Sequence, residues 1–124
     1  MTKEEALQNF WGSFEIPAYE ENSVPTGKQA PQFPYITYQV STSDFDHDVH
    51  LTGSLWYRDS SWVDINRKTR EIADKISTGL KAPIDNGVMQ IYKDDIFAQS
   101  MGDSSDDLIK RKVINLIAEF QTAY

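Results

Sequence analysis

Four residues stand close enough in the chain to suggest metal chemistry: Asp46, His47, Asp48 and His50, in the run DHDVH. A divalent ion needs three or four such ligands converging on one point. On an extended strand residues 48 and 50 share a face while 47 points away, and neither the HExxH spacing nor a helix is present. The run therefore reads as the solvated end of a hairpin, and no metal site is expected. The acidic stretch DSSDD from Asp103 fails as a calcium loop, because Leu108 and Ile114 occupy the positions where an EF-hand requires glycine and glutamate.

Pro25, Thr26, Gly27 and Lys28 look like the end of a phosphate-binding loop, but Asn22 replaces the glycine five positions before Gly27 and no strand precedes it. A hydrolase needs a nucleophile with a base in reach. Two histidines near one turn, no GxSxG and no cysteine supply no such pair. Lys110, Arg111 and Lys112 form the densest basic run, yet on a strand they alternate faces, and three charges fall short of a nucleic-acid footprint. They read as a salt-bridging edge or a subunit contact. The expectation is a protein without catalytic residues, cofactor or metal.

The elements that position these residues come from a chain of 124 residues, enough for one domain. Val, Ile, Leu and Phe make up 29 residues, above the roughly 20% below which chains tend to stay disordered. No run approaches the ~20 apolar residues of a membrane span, and the acidic opening MTKEEALQNF is unlike a signal peptide, so a soluble cytoplasmic protein is expected. Absence of cysteine excludes disulfides, iron–sulfur clusters and cysteine-based zinc sites. A net charge of −7 argues against adhesion to bare DNA or anionic lipid.

Thr2 and Glu5 have capping-box spacing, and Ala6, Leu7, Phe10, Trp11 and Phe14 gather on one helical face, predicting a short helix over about 3–11. Residues 12–34 hold four of the five prolines and read as an extended arm. The arm carries Ile16, Tyr19, Val24 and Phe33, which a purely solvated linker would not need.

Strands follow at YITYQV and at VHLTGSLWYR, each alternating and together predicting a hairpin. Trp62, Ile65, Thr69, Ile72 and Ile76 recur at three and four, predicting a long helix over about 62–78, with Gly79 beyond its end. Past the turn residues Pro83, Asp85, Asn86 and Gly87, VMQIY reads as a third strand, then a polar stretch follows. The tail LIKRKVINLIAEFQTAY fits helix and strand alike, and strand is chosen because a fourth strand would cover a sheet edge. The expected fold is α+β in a single domain: a mixed four-stranded sheet packed against one long helix, with Ile36, Leu51, Leu55, Ile65, Ile72 and Ile76 in one core. The element order puts the loop 41–48 at one end of the sheet and the loop 93–107 at the other. Each is polar with an apolar insert, Phe45 in one and Ile96, Phe97 and Met101 in the other, as contact surfaces at two poles would be.

The stretches FPYITYQVSTSDF, LTGSLWYRDSSWVDINRKTREIADKI and GVMQIYKDDIFAQSMGDSSDDLIKRKVINLIAEF resemble the tail terminator or tail-completion proteins of long-tailed bacteriophages and prophages, often described as minor capsid or head-tail joining proteins. The likeness spans about 16–120. It implies a small α+β subunit without enzymatic activity, present in the host bacterial cytoplasm during assembly and then in the virion tail or neck. Such a subunit forms a hexameric ring, monomeric before assembly in some settings, that caps the tail tube and meets the head connector or head-closure protein. Neither a membrane nor sequence-specific nucleic-acid binding is implied. Partner contacts are expected at Tyr19, Val24, Phe33, Phe45, His47, Phe97, Met101 and Asp103. The runner-up within this class is another head-tail connector. From other classes come a metal-dependent hydrolase using Asp46, His47, Asp48 and His50, and a ligand-binding module with a small molecule under the Trp62 helix.

Overall fold

The computed structural model describes residues 1–39, 49–77, 79–102 and 105–122. The chain builds helix α1 (Lys3–Gly12), strands β1 (Ala18–Glu20), β2 (Tyr35–Gln39) and β3 (Val49–Arg58), helix α2 (Val63–Lys75), and strands β4 (Leu80–Ile84), β5 (Gly87–Gly102) and β6 (Ile109–Thr122). All six strands join one curled, half-barrel-like sheet in the order β1-β2-β3-β6-β5-β4. Every neighbouring pair is antiparallel except β1 with β2.

This corrects the expected four-stranded sheet on one long helix. β1 arises inside the proline-rich arm, and the run after Gly79 forms β4 instead of a turn. Two short helices of 10 and 13 residues share the covering layer. The last strand, expected to cover an edge, lies in the middle of the sheet between β3 and β5.

One sheet face is the core. Ile36 lies opposite Leu55, Tyr38 opposite Gly53, Leu51 opposite Leu116, Gly53 opposite Ile114 and Met89 opposite Phe120, so alternation in four strands delivers apolar residues to the same side. The six core residues expected from sequence are all buried. Fully burying each large side chain contributes roughly 1.5–3 kcal/mol, which makes this layer the source of stability.

Helix α1 begins with the capping box read from the sequence: Thr2 Oγ1 accepts from Glu5 N and Glu5 Oε1 accepts from Thr2 N, both at 3.1 Å. These bonds hold the Glu5 carboxyl below its ordinary pKa. Trp11, fully buried, lies flat against Tyr38 and directly over Gly53. A Cβ at Gly53 would sit 2.5 Å from the indole, so only glycine admits this approach. Helix α2 then ties down the end of α1, since Lys68 Nζ donates to Phe14 O at 2.7 Å and Lys75 Nζ to Ser13 Oγ at 2.6 Å. Its ion pairs form at i, i+3, Asp64 with Arg67 and Lys68 with Glu71.

Candidate contact surface

On the opposite face of the sheet Glu21, in the 3-10 turn Glu21–Ser23, lies beside Thr37, Gln39, Thr52, Ser54 and Arg111, and this polar background is broken by one row of large side chains. Tyr35 on β2 lies directly opposite Trp56 on β3, which lies opposite Arg111 on β6, which lies opposite Met101 on β5. The Phe33 and Tyr35 rings are 5.3 Å apart, the Tyr35 and Trp56 rings stack at 6.3 Å, and the Arg111 guanidinium lies 4.8 Å from the centre of the Trp56 ring. Polar bonds fix the row: Trp56 Nε1 donates to Thr37 Oγ1 at 2.9 Å and Arg111 Nε to Ser54 Oγ at 3.1 Å. An arginine already stacked and bonded has little freedom left to lose on meeting a partner. Trp, Tyr and Arg are also the residue types that dominate binding energy at protein interfaces.

The row ends on the β5–β6 ribbon, whose two halves differ. Lys93 pairs with Leu116 and Ala98 with Ile114, so residues 94–97 bulge out opposite Asn115 alone. Asn115 Nδ2 donates to Ile96 O at 3.0 Å and holds the bulge closed. His50 Nδ1 lies 3.0 Å from Asp94 Oδ2, and the Asp94 carboxyl is held below its ordinary pKa first by the Asp95 amide and then by His50. Exposed large apolar residues concentrate here: Tyr92, Ile96 (59% exposed) and Met101 (46%) lie on β5, and Leu108 precedes β6.

Of the expected contact residues, the structure brings Phe33 and Met101 to the two ends of one row. Tyr19 sits half-buried on edge strand β1, and Val24 half-buried beyond the turn that follows it. Phe97 departs from the expected exposed pole: it is half-buried against the core cluster, with Lys93 Nζ 5.5 Å from its ring centre. Phe45, His47 and Asp103 lie outside the described residues, as do Asp46 and Asp48 of the proposed metal cluster. His50, the remaining member, is an exposed strand residue bonded to Asp94. Among the described residues, no three His, Asp or Glu side chains are placed to hold a metal ion together. Sequence reading missed Tyr35, Trp56 and Arg111 as a unit. The usable signal was Trp56, a large aromatic on the polar side of an alternating strand.

A cleft of about 430 Å³ beside α2 is lined by Glu15, Tyr57, Asp64, Arg67, Lys68 and Glu71 among others. Its charges are largely spent on one another through the Asp64–Arg67 and Lys68–Glu71 pairs. Burial, with Asp64 and Glu71 nearby, pushes the Tyr57 hydroxyl up to about 12, so it stays protonated at neutral pH and is a poor base. Among the described residues, no helix is long and apolar enough to cross a membrane. No protein-family model matches the chain, and no characterised protein matches it in sequence.

Proposed function

We propose that this chain is a structural subunit of the neck of a long-tailed phage or prophage, a tail terminator that closes as a ring on the tail tube and presents its other pole to the head connector. The observation that carries the reading is the concentration of exposed apolar residues on the β5–β6 ribbon, joined to an aromatic and arginine row on the sheet face opposite the core. Surfaces of this composition mark protein contacts. The resemblance of residues 16–120 to terminator proteins supplies the partners: further copies of the chain, the tail tube protein and the head-closure protein. In this reading the role is assembly and not catalysis, and the protein passes from the host cytoplasm into the virion.

Deleting the gene from a phage or prophage that encodes it, and examining the lysate by electron microscopy, tests the proposal. Tails of abnormal length, or heads and tails left unjoined, with rescue by the wild-type gene, are the expected result. Complete virions with tails of normal length in the absence of the protein would overturn it.

A further inference from the structure

The edges of the sheet are guarded unequally. β4 pairs with residues 87–91 of β5 and no further, so along residues 98–102 β5 has β6 on one side and, among the described residues, no strand on the other. The outer edge formed by β4 carries Lys81 and Pro83, and its end is occupied because Asp85 N donates to Met1 O at 2.7 Å. Lysine and proline are the residues that keep edge strands from pairing. Residues 98–102 are Ala, Gln, Ser, Met and Gly, without charge or proline in a chain that is 25% charged. Gln99, Ser100, Met101 and Gly102 are exposed, and a Cβ at Gly102 would meet nothing within 4 Å. The charges that could guard this strand, Lys93, Asp94 and Asp95, are set aside at the bulge.

We propose that residues 98–102 of β5 form a strand-addition site occupied by the β1 edge of a second copy of this chain. This names the subunit contact of the ring and rests on the neck reading above. The two edges lie on opposite sides of the free ribbon in one sheet, so joining them is a head-to-tail contact that uses each edge once and propagates to a ring if the rotation closes. Charge supports the match. Glu20 lies on β1 and Glu21 directly follows it, whereas the free ribbon carries Lys110, Arg111 and Lys112 one strand inward from the site. An added strand would stand about 10 Å from β6, near the screening length at 0.1 M salt, so the attraction is salt-sensitive. Ile36 N donates to Pro17 O, so by alternation Ala18 and Glu20 turn their backbone groups outward. Gln8 Nε2 already occupies Ala18 O at 3.1 Å, and the carbonyl of Glu20, the N-cap of the 3-10 turn Glu21–Ser23, is engaged by that turn, so the Ala18 and Glu20 amides are the groups left for the new pairing. A contact of so few backbone bonds is weak alone and suits a ring that forms on a template.

The chain has no cysteine, so single introduced cysteines report contacts cleanly. Full-length variants from one set, Ala18→Cys, Tyr19→Cys or Glu20→Cys, are mixed with one from a second set, Gln99→Cys, Ser100→Cys or Met101→Cys. The mixtures are oxidised at concentrations up to the millimolar range. The expected result is at least one pair joining across the sets at ten-fold or more the yield of a Lys81→Cys control, falling as salt is raised. Joining within the second set alone would mean a two-fold contact between free edges, and a yield equal to the control would mean no edge contact; either overturns the proposal. Gln99→Lys should leave the melting temperature unchanged and abolish rescue of the deletion phage. If Gln99→Lys rescues fully, the edge contact falls and the neck reading stands. If the cross-set disulfide forms but the deletion phage is normal, the neck reading falls and the edge contact stands.

Discussion

The β5–β6 ribbon is built twice, on either side of its bulge. In the half where β5 also pairs with β4, Met89, Ile91, Leu116 and Ala118 are buried beneath the helical layer, and β5 has a neighbour on both sides. In the other half, residues 98–102 lose the outer neighbour, Met101 is exposed, and the covering layer thins to Trp62 with Lys110 and Lys112 near its ring. One covalent ribbon thus carries a segment committed to the core and a segment whose backbone and apolar side chains are open to solvent. The bulge separates them: three extra residues in β5 reverse which side chains face the core, and the β5 segment beyond it, residues 98–102, carries no charge. Stability and contact are thereby assigned to different stretches of the same two strands.

The sharpest way to break this division is to attack the buried half. Ile72→Asp should prevent folding, because an unpaired buried carboxylate costs several kcal/mol, and a soluble, cooperatively melting variant would place α2 on another face. Gly53→Ala should cost about 1–3 kcal/mol, since the new methyl meets the Trp11 ring, and tryptophan fluorescence should shift as the indole is displaced. By contrast, Met101→Asp should change stability by no more than about 0.5 kcal/mol while abolishing assembly in the phage assay.

Titration sharpens the same contrast more gently. The Tyr57 hydroxyl has its pKa raised to about 12 in the folded protein, and Tyr35 and Tyr38 are raised by burial as well. A raised folded value means that stability is complete below the ordinary tyrosine pKa of about 10 and is lost as pH climbs toward 12. Tyr57→Phe should flatten part of that alkaline loss in melts recorded across the range. The smallest effect belongs to the bulge. The Asp94 carboxyl is lowered, so its contribution is present above pH ~4 and fades in acid, and Asp94→Asn should reduce the acid dependence slightly.

What could be read from the sequence followed the regularity of its periods. β3 alternates without interruption from Val49 to Arg58, and its bounds and buried face were legible. The six expected core residues were legible for the same reason. β5 was cut short at Tyr92 because the bulge adds three residues, so Met89 and Ile91 point inward before it and Ala98 after it, and a period of two fails across KDDIFAQSMG. β4 was hidden by Pro83, which reads as a turn but is tolerated on an outer edge. β1 is three residues inside a proline-rich arm, too short for any period. The aromatic row escaped because it runs across strands: Tyr35, Trp56, Arg111 and Met101 are spread between residues 35 and 111 of the sequence and meet only through register.

The central claim is that one ribbon holds a core half and a contact half, and native-state hydrogen exchange resolved by residue tests it most directly. Amides of β3 and of residues 114–120 of β6 should exchange only with global unfolding, while outward amides within residues 98–102 exchange orders of magnitude faster in the monomer and slow on assembly. Equal protection of both halves in the monomer, or no slowing of residues 98–102 on assembly, would contradict it.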